Sequence, residues 1–316
     1  MKLNLLLPLS LSLLVASGGL ACRKPSNKPA EQPKEAGKTA TQLLSEGEAL
    51  LKRRKWEEGR KVLRMVEDYF PASPEFPKAK ILLADSFFFS STNTYPEALV
   101  EYQSFLNYFP RHELREYALY RSALCHYASI ENAERDQNQT RKAIEAFQSF
   151  LAEAPGSIYA VDARAKVTQC YRRLAEAELM VGIFYVNNMG YSSAERRLKD
   201  LLEQYPEYVD RERAYFYLGE ALRSKLPSME QFQEFSKGWL AKQGLNEDSV
   251  LDARQRRELS KAQEAFRDEE VAKYRAEART QYQRLVESYP NSAWTGRAKD
   301  RLVEMGSSSV KEELDG

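Results

Sequence analysis

The sequence predicts an all-α protein, a solenoid of about five helical hairpins with a long charged helix towards the C terminus. Two observations support this prediction. Prolines end helical patterns repeatedly, at Pro71, Pro110, Pro155, Pro206 and Pro290. In addition, small and large residues keep fixed distances from each of these prolines, which indicates an internal repeat.

The repeat has one small residue and two larger apolar residues before each proline, and one alanine after it. The small residue lies twelve positions before the proline, the larger ones eight and five positions before it, and the alanine eight positions after it. Offsets of four and three place the first three side chains on one helical face. Proline then ends the helix, because its ring clashes with the preceding turn and it lacks an N–H. The positions are Gly59, Ala98, Ala143, Ala194 and Ala278; Leu63, Tyr102, Phe147, Leu198 and Tyr282; Val66, Phe105, Phe150, Leu201 and Leu285; and Ala79, Ala118, Ala163, Ala214 and Ala298.

The first 21 residues are typical of a secretory signal peptide. Lys2 supplies a positive charge, Leu3 to Ala16 is almost wholly apolar, and small residues follow up to Ala21. A membrane-spanning helix needs about 20 apolar residues. This run is shorter and contains Pro8, so we interpret residues 1–21 as an export signal.

Cys22 directly follows the signal, an arrangement that resembles a bacterial lipobox. There the thiol takes a diacylglyceryl group and the freed amine is then acylated, which anchors a protein without a spanning helix. Ala21 fits the lipobox, whereas Gly19 stands where leucine is usual. We predict lipidation of Cys22, and ordinary cleavage near Ala21 stays open as an alternative. Arg23 implies sorting to the outer membrane, by the same resemblance.

The remaining chain divides by composition. Residues 22–40 are rich in Pro, Lys and Glu and predict a flexible tether. Residues 41–225 carry the repeats, with an additional helix expected around 174–188. Residues 226–306 predict an extended charged helical segment and the last repeat, with the long helix capped by Asp248 or Ser249. The chain is expected to fray from Val303, leaving a polar tail at 307–316.

No pattern of catalytic or metal-ligating residues stands out. The two histidines, His112 and His126, occur in no zinc-binding spacing, and Cys125 points about 100° away from its neighbour His126 on a helix. We therefore predict no enzyme, no metal and no cofactor. The 47 basic and 46 acidic residues give a net charge of +1, without the basic excess typical of nucleic-acid binding.

Cys125 and Cys170 both lie fifteen positions after their proline. Equivalent positions on packed helices are separated by about 8–10 Å, whereas a disulfide needs Cα atoms within about 7 Å. We expect buried free thiols at both positions.

The spacing of each unit resembles the second helix of the tetratricopeptide repeat. Residues 134–206, with "RDQ", "AFQSFL" and "GYSSAERRL" in order, are similar to the BamD family of lipoproteins, also called ComL or YfiO. The resemblance extends to about residue 225. Ala154 departs from it, since an aromatic residue usually precedes that proline, and so does the segment from about 227 to 280.

This resemblance implies a scaffold on the periplasmic face of the outer membrane of a Gram-negative-type bacterium. The scaffold would bind the periplasmic domains of a BamA-type barrel insertase, dock other Bam lipoproteins and receive unfolded outer-membrane proteins. Arg197 stands where family members place a basic residue that contacts an acidic group of BamA; the alternative is an exposed arginine with an i,i+4 contact. Two other functions remain open, an adaptor of the Tol–Pal or pilus-biogenesis type and a peptidoglycan-acting enzyme.

Overall fold

The computed structural model describes residues 37–90 and 94–314, with side chains as far as Gly306. The signal peptide, Cys22 and most of the predicted tether lie outside this range. Within it there are twelve α-helices and no strand, so the prediction of an all-α fold is confirmed. The helices are α1 (Ala40–Lys52), α2 (Trp56–Tyr69), α3 (Phe76–Phe88), α4 (Tyr95–Tyr108), α5 (Arg115–Ala128), α6 (Asn138–Glu153), α7 (Ala160–Asn187), α8 (Tyr191–Gln204), α9 (Arg211–Ser224), α10 (Met229–Lys242), α11 (Ala253–Ser288) and α12 (Ala293–Leu314).

The helices pair into five hairpins, which is the predicted solenoid. The pairs are α1–α2, α3–α4, α5–α6, α7–α8 and α9–α11, and α12 packs on the last of them. Every position of the proline-aligned repeat is buried. This holds for the small residue, for both large apolar residues and for the alanine after the proline, in all five units. The repeat therefore encodes the contacts between successive helices, because each hairpin buries its apolar face against the next one.

Glycines let paired helices approach closely at four points, and two of these lie in the later hairpins. A Cβ added to Gly182 on α7 would lie 2.6 Å from Cδ2 of Leu198 on α8. A Cβ added to Gly219 on α9 would lie 2.5 Å from Cε1 of Tyr282 on α11. Any larger residue would push these helices apart, since the neighbours are fully buried large side chains.

The prediction of an additional, separate helix around 174–188 is wrong. This segment is the second half of α7, which is one continuous helix of 28 residues. No proline interrupts it, and Gly182 is buried inside it. Its first half packs Cys170 and Leu174 into one core cluster with α6, and its second half packs Leu179 and Ile183 into another with α8. The twelve positions that separate Gly182 from Cys170 correspond to about 18 Å of helix. We call α1–α6 with the first half of α7 the N-terminal module, and the rest the C-terminal module.

The start of the long charged helix also differs from the prediction. Helix α11 begins at Ala253, and Asp252 caps it in a reciprocal capping box with Gln255. Ser249 instead closes a separate turn, in which its Oγ donates to Oδ1 of Asn246 at 2.7 Å. Both Ser249 and Asp252 are good cap residues, and this local hydrogen bonding decides between them.

The C-terminal end is helical where fraying was expected. Helix α12 continues past Val303 to Leu314, so most of the segment predicted as a polar tail is helical in its backbone. Within residues 37–90 and 94–314, no helix combines the length and the apolar character that a membrane span requires.

Candidate partner-binding surfaces

The histidines and cysteines take up structural positions. Nδ1 of His112 accepts a hydrogen bond from the backbone N–H of Leu114 at 3.1 Å, and Nδ1 of His126 lies 3.1 Å from Oε1 of Gln139. In the described part of the chain, no group of three or more potential ligands is placed to hold a metal ion.

Cys125 and Cys170 are buried free thiols, as expected. Burial raises the pKa of Cys125 to about 12 and that of Cys170 to about 11. Neither forms a thiolate near neutral pH, so neither is a nucleophile. The candidate functional sites are therefore binding surfaces, and the ion pairs between neighbouring helices define their geometry.

Arg197 lies on the outer side of α8 and forms an ion pair with the preceding helix. Its Nη1 donates to Oε2 of Glu178 on α7 at 3.1 Å, and the two side chains are 43% and 31% exposed. The alternative interpretation is right about the exposure of Arg197 but wrong about the i,i+4 contact, because Glu178 lies nineteen positions earlier on another helix. An ion pair this exposed contributes at most about 1 kcal/mol to stability, so the fold does not depend on Arg197.

The helix that carries Arg197 is held in place by a second group of ion pairs. Glu195 accepts from Lys199 and from Lys225, both at 2.7 Å, and Lys225 follows the end of α9. Lys199 also donates to Glu277 on α11 at 3.2 Å. The lysines lower the pKa of Glu195 against the opposing effect of burial, which keeps this carboxylate charged. Glu195 thereby links α8 to the end of α9 through a mostly buried ion pair, and the more exposed Lys199–Glu277 pair adds a weaker contact to α11.

The N-terminal module contains a buried polar network between its second and third hairpins. Asp85 on α3 accepts hydrogen bonds from Tyr102 and, at 2.8 Å, from Tyr117. Nε of Arg121 on α5 donates to Tyr102 at 3.1 Å and lies 3.6 Å from Oδ1 of Asp85. Burial raises the pKa of Asp85, while the two tyrosines and Arg121 act in the opposite direction. The network thus joins three helices through one carboxylate.

The guanidinium of Arg121 also lies over four aromatic rings, and those of Phe88 and Phe89 are the nearest. Its guanidinium carbon lies 3.8 Å from the ring centre of Phe88 and 4.5 Å from that of Phe89, which is 56% exposed. Its Nη2 is buried and meets no hydrogen-bond partner in the described part of the chain. Sequence reasoning missed this residue, although a signal existed: Arg121 follows the buried Ala118 by three positions and therefore faces the core.

Comparison with known proteins gives a family match over most of the solenoid. Residues 36–235 match YfiO, a family described as outer membrane lipoprotein, and residues 272–292 match a tetratricopeptide repeat. The family match thus covers the N-terminal module and the first part of the C-terminal module, and it ends inside α10.

Several curated relatives carry the name outer membrane protein assembly factor BamD. The relative from Caulobacter vibrioides is 30% identical over 66% of this chain and 68% of its own length. Those from Rickettsia prowazekii and Haemophilus influenzae are 27% and 25% identical, over 65% and 67% of this chain and 78% and 82% of their own lengths. A solved tetratricopeptide repeat protein from Parabacteroides merdae is 16% identical, with a TM-score of 0.32 over 84% of this chain and 98% of that one.

Proposed function

Because this chain belongs to the YfiO family of outer membrane lipoproteins, we propose that it works in outer membrane protein assembly as a lipid-anchored periplasmic scaffold. The observation that supports this most is the family match over residues 36–235, which covers α1 to α9 and the start of α10. In this proposal the solenoid binds the periplasmic domains of a BamA-type insertase, docks other Bam lipoproteins and receives unfolded outer-membrane proteins. Its role is binding and positioning, without a catalytic step.

Cys22 is the proposed attachment point to the membrane. Residues 23–36 separate it from the first described residues, and fourteen residues span at most about 50 Å when fully extended. The first helix, α1, begins at Ala40 and is capped by Thr39. The solenoid is therefore tethered near the membrane without being held flat against it, as a scaffold for a membrane-embedded insertase requires.

Arg197 is the proposed contact for an acidic group of the insertase. Among the described residues, its Nη1 alone takes part in a hydrogen bond, to Glu178. The guanidinium has five N–H donors in a fork that matches a carboxylate, so it can bind a second acid while keeping the internal pair. The low stability contribution of that pair also frees Arg197 to serve in binding.

Arg197→Glu is expected to reduce recovery of the insertase with the purified lipoprotein by at least about tenfold, because it places like charges across the interface. Helicity and Tm should change little, since the lost ion pair is exposed. The measurement is quantitative co-purification from detergent-solubilised membranes.

The charge-swapped double variant Arg197→Glu/Glu178→Arg is the matched control. It restores an internal ion pair between α7 and α8 but moves the positive charge to the other helix. We expect it to retain normal stability and to remain defective in co-purification. Full recovery of the insertase by this variant would mean that Arg197 acts only through its internal pair.

A further inference from the structure

The C-terminal module carries a projecting hairpin, which we call the arm and define as residues 229–270. It consists of α10, the following loop and the first half of α11. The buried residues of α11 begin at Tyr274, so the eighteen residues from Ala253 to Glu270 extend beyond the packed core. At 1.5 Å per residue they project by about 27 Å. The family match ends at residue 235, so most of the arm lies outside it.

The base of the arm is held by specific contacts. Nε2 of Gln231 on α10 donates to Tyr274 on α11 at 3.0 Å, and Nε2 of Gln263 donates to Ser236 at 2.9 Å. Nζ of Lys225 lies 4.2 Å from the ring centre of Tyr274. These contacts fix α10 against α11 and give the arm a defined surface.

That surface contains a shallow, open groove of about 570 Å³, whose lining includes Phe235 and Phe266. The half-buried rings of Phe235 and Phe266 stack with centres 4.5 Å apart, and Phe232 packs edge-on against Phe266 at 5.6 Å. The groove is lined by Glu230, Gln231, Glu234, Phe235, Phe266 and Glu270. Apolar contact area thus lies next to three carboxylates.

Two of the three carboxylates are available for a partner. Glu270 pairs with Lys273 at 2.9 Å, whereas Glu230 and Glu234 form no ion pair within the described residues. Nearby carboxylates and aromatic faces both stabilise a bound cationic side chain, the first through charge-assisted hydrogen bonds and the second through cation–π contacts. Phosphate-rich partners, such as an anionic lipid surface, would be repelled by the same rim.

We propose that this groove binds a segment of a partner protein in which a lysine or arginine stands beside an apolar side chain. The cation binds between Glu230 and Glu234, and the apolar group packs on Phe235 and Phe266. Charge complementarity selects this occupant over a membrane surface. The proposal is independent of the insertase contact at Arg197, which lies on α8.

The test places the photo-crosslinking analogue p-azidophenylalanine at Phe235 in the full-length lipoprotein in living cells. The analogue keeps the aromatic ring, and Gln233, on the same helix but outside the groove lining, provides the matched control position. Mass spectrometry then sequences the linked segment. We expect a product from position 235, absent from position 233, whose linked segment contains Lys or Arg within a few residues of an apolar one.

Charge reversal makes the test specific for the rim. The double variant Glu230→Lys/Glu234→Lys should reduce the cross-linked product at least about tenfold at unchanged helicity. If this variant perturbs folding, the neutral double variant Glu230→Gln/Glu234→Gln is used in its place. The proposal is overturned if the product survives charge reversal, if it forms equally from position 233, or if no product forms. The proposal is also overturned if the linked segment contains no basic residue. Cross-linking to a lipid, or to a second copy of this chain, would overturn it as well.

Discussion

Replacement of Arg121 by methionine is expected to lower the free energy of unfolding by about 3 kcal/mol, because it breaks a buried ion pair. The substitution keeps side-chain length but leaves Asp85, which is mostly buried, without its cationic neighbour. It also removes the contact of the guanidinium with Phe88. Urea unfolding of the purified protein, followed by circular dichroism, measures the change.

Two further variants serve as controls for Arg121→Met. Arg173→Met removes an arginine from an ion pair whose side chains are 37% and 54% exposed, and should change stability by less than about 1 kcal/mol. The double variant Arg121→Met/Asp85→Asn removes both buried charges and should be more stable than Arg121→Met alone. If Arg121→Met were no more destabilising than Arg173→Met, the buried network would not be a structural unit.

Replacement of Cys22 by serine is expected to abolish acylation completely. Labelled palmitate should be incorporated into the unaltered chain and be absent from Cys22→Ser, because only the cysteine thiol accepts the diacylglyceryl group. The variant should also be lost from the outer-membrane fraction. Acyl chains contribute about 0.8 kcal/mol per buried methylene, so their loss removes the whole anchor.

The two remaining cysteines provide the controls. Cys125→Ser and Cys170→Ser remove buried thiols and should leave palmitate incorporation unchanged. Label that persisted in Cys22→Ser, or label lost from Cys125→Ser, would contradict the assignment of the anchor to Cys22.

The hairpins could be predicted from sequence because their contacts are local and repeated. Ala98, Tyr102 and Phe105 share one face through helix periodicity alone, and Pro110 ends their helix. Packing then buries all three, and the same holds for the other four repeats. Local pattern and global fold agree here, so the fold class follows from the pattern.

The limits of the long helices could not be predicted in the same way. Ser249 and Asp252 have similar capping ability, and only the hydrogen bond of Ser249 to Asn246 shows which one starts α11. In α7, two separate helices and one continuous helix have the same periodicity. In the continuous helix, Gly182 lies close to Leu198 on α8. This contact belongs to tertiary packing, which the local sequence pattern does not reveal.

The candidate sites depend on contacts between distant parts of the chain. The position of Arg197 followed from family resemblance, but its partner Glu178 lies on another helix and was not predicted. The pair of Arg121 with Asp85 joins residues 36 positions apart in different hairpins, which no local pattern reveals. The groove of the arm likewise requires α10 and α11 to fold back on each other.

Purification of the native lipoprotein from detergent-solubilised outer membranes, with identification of the proteins that co-purify, tests whether this chain is a scaffold for outer membrane protein assembly. A scaffold for outer membrane protein assembly should bring down the BamA-type barrel insertase in near-equal amounts, and Arg197→Glu should lose it. Recovery of Tol components or pilins alone, with no insertase, would contradict a role in outer membrane protein assembly.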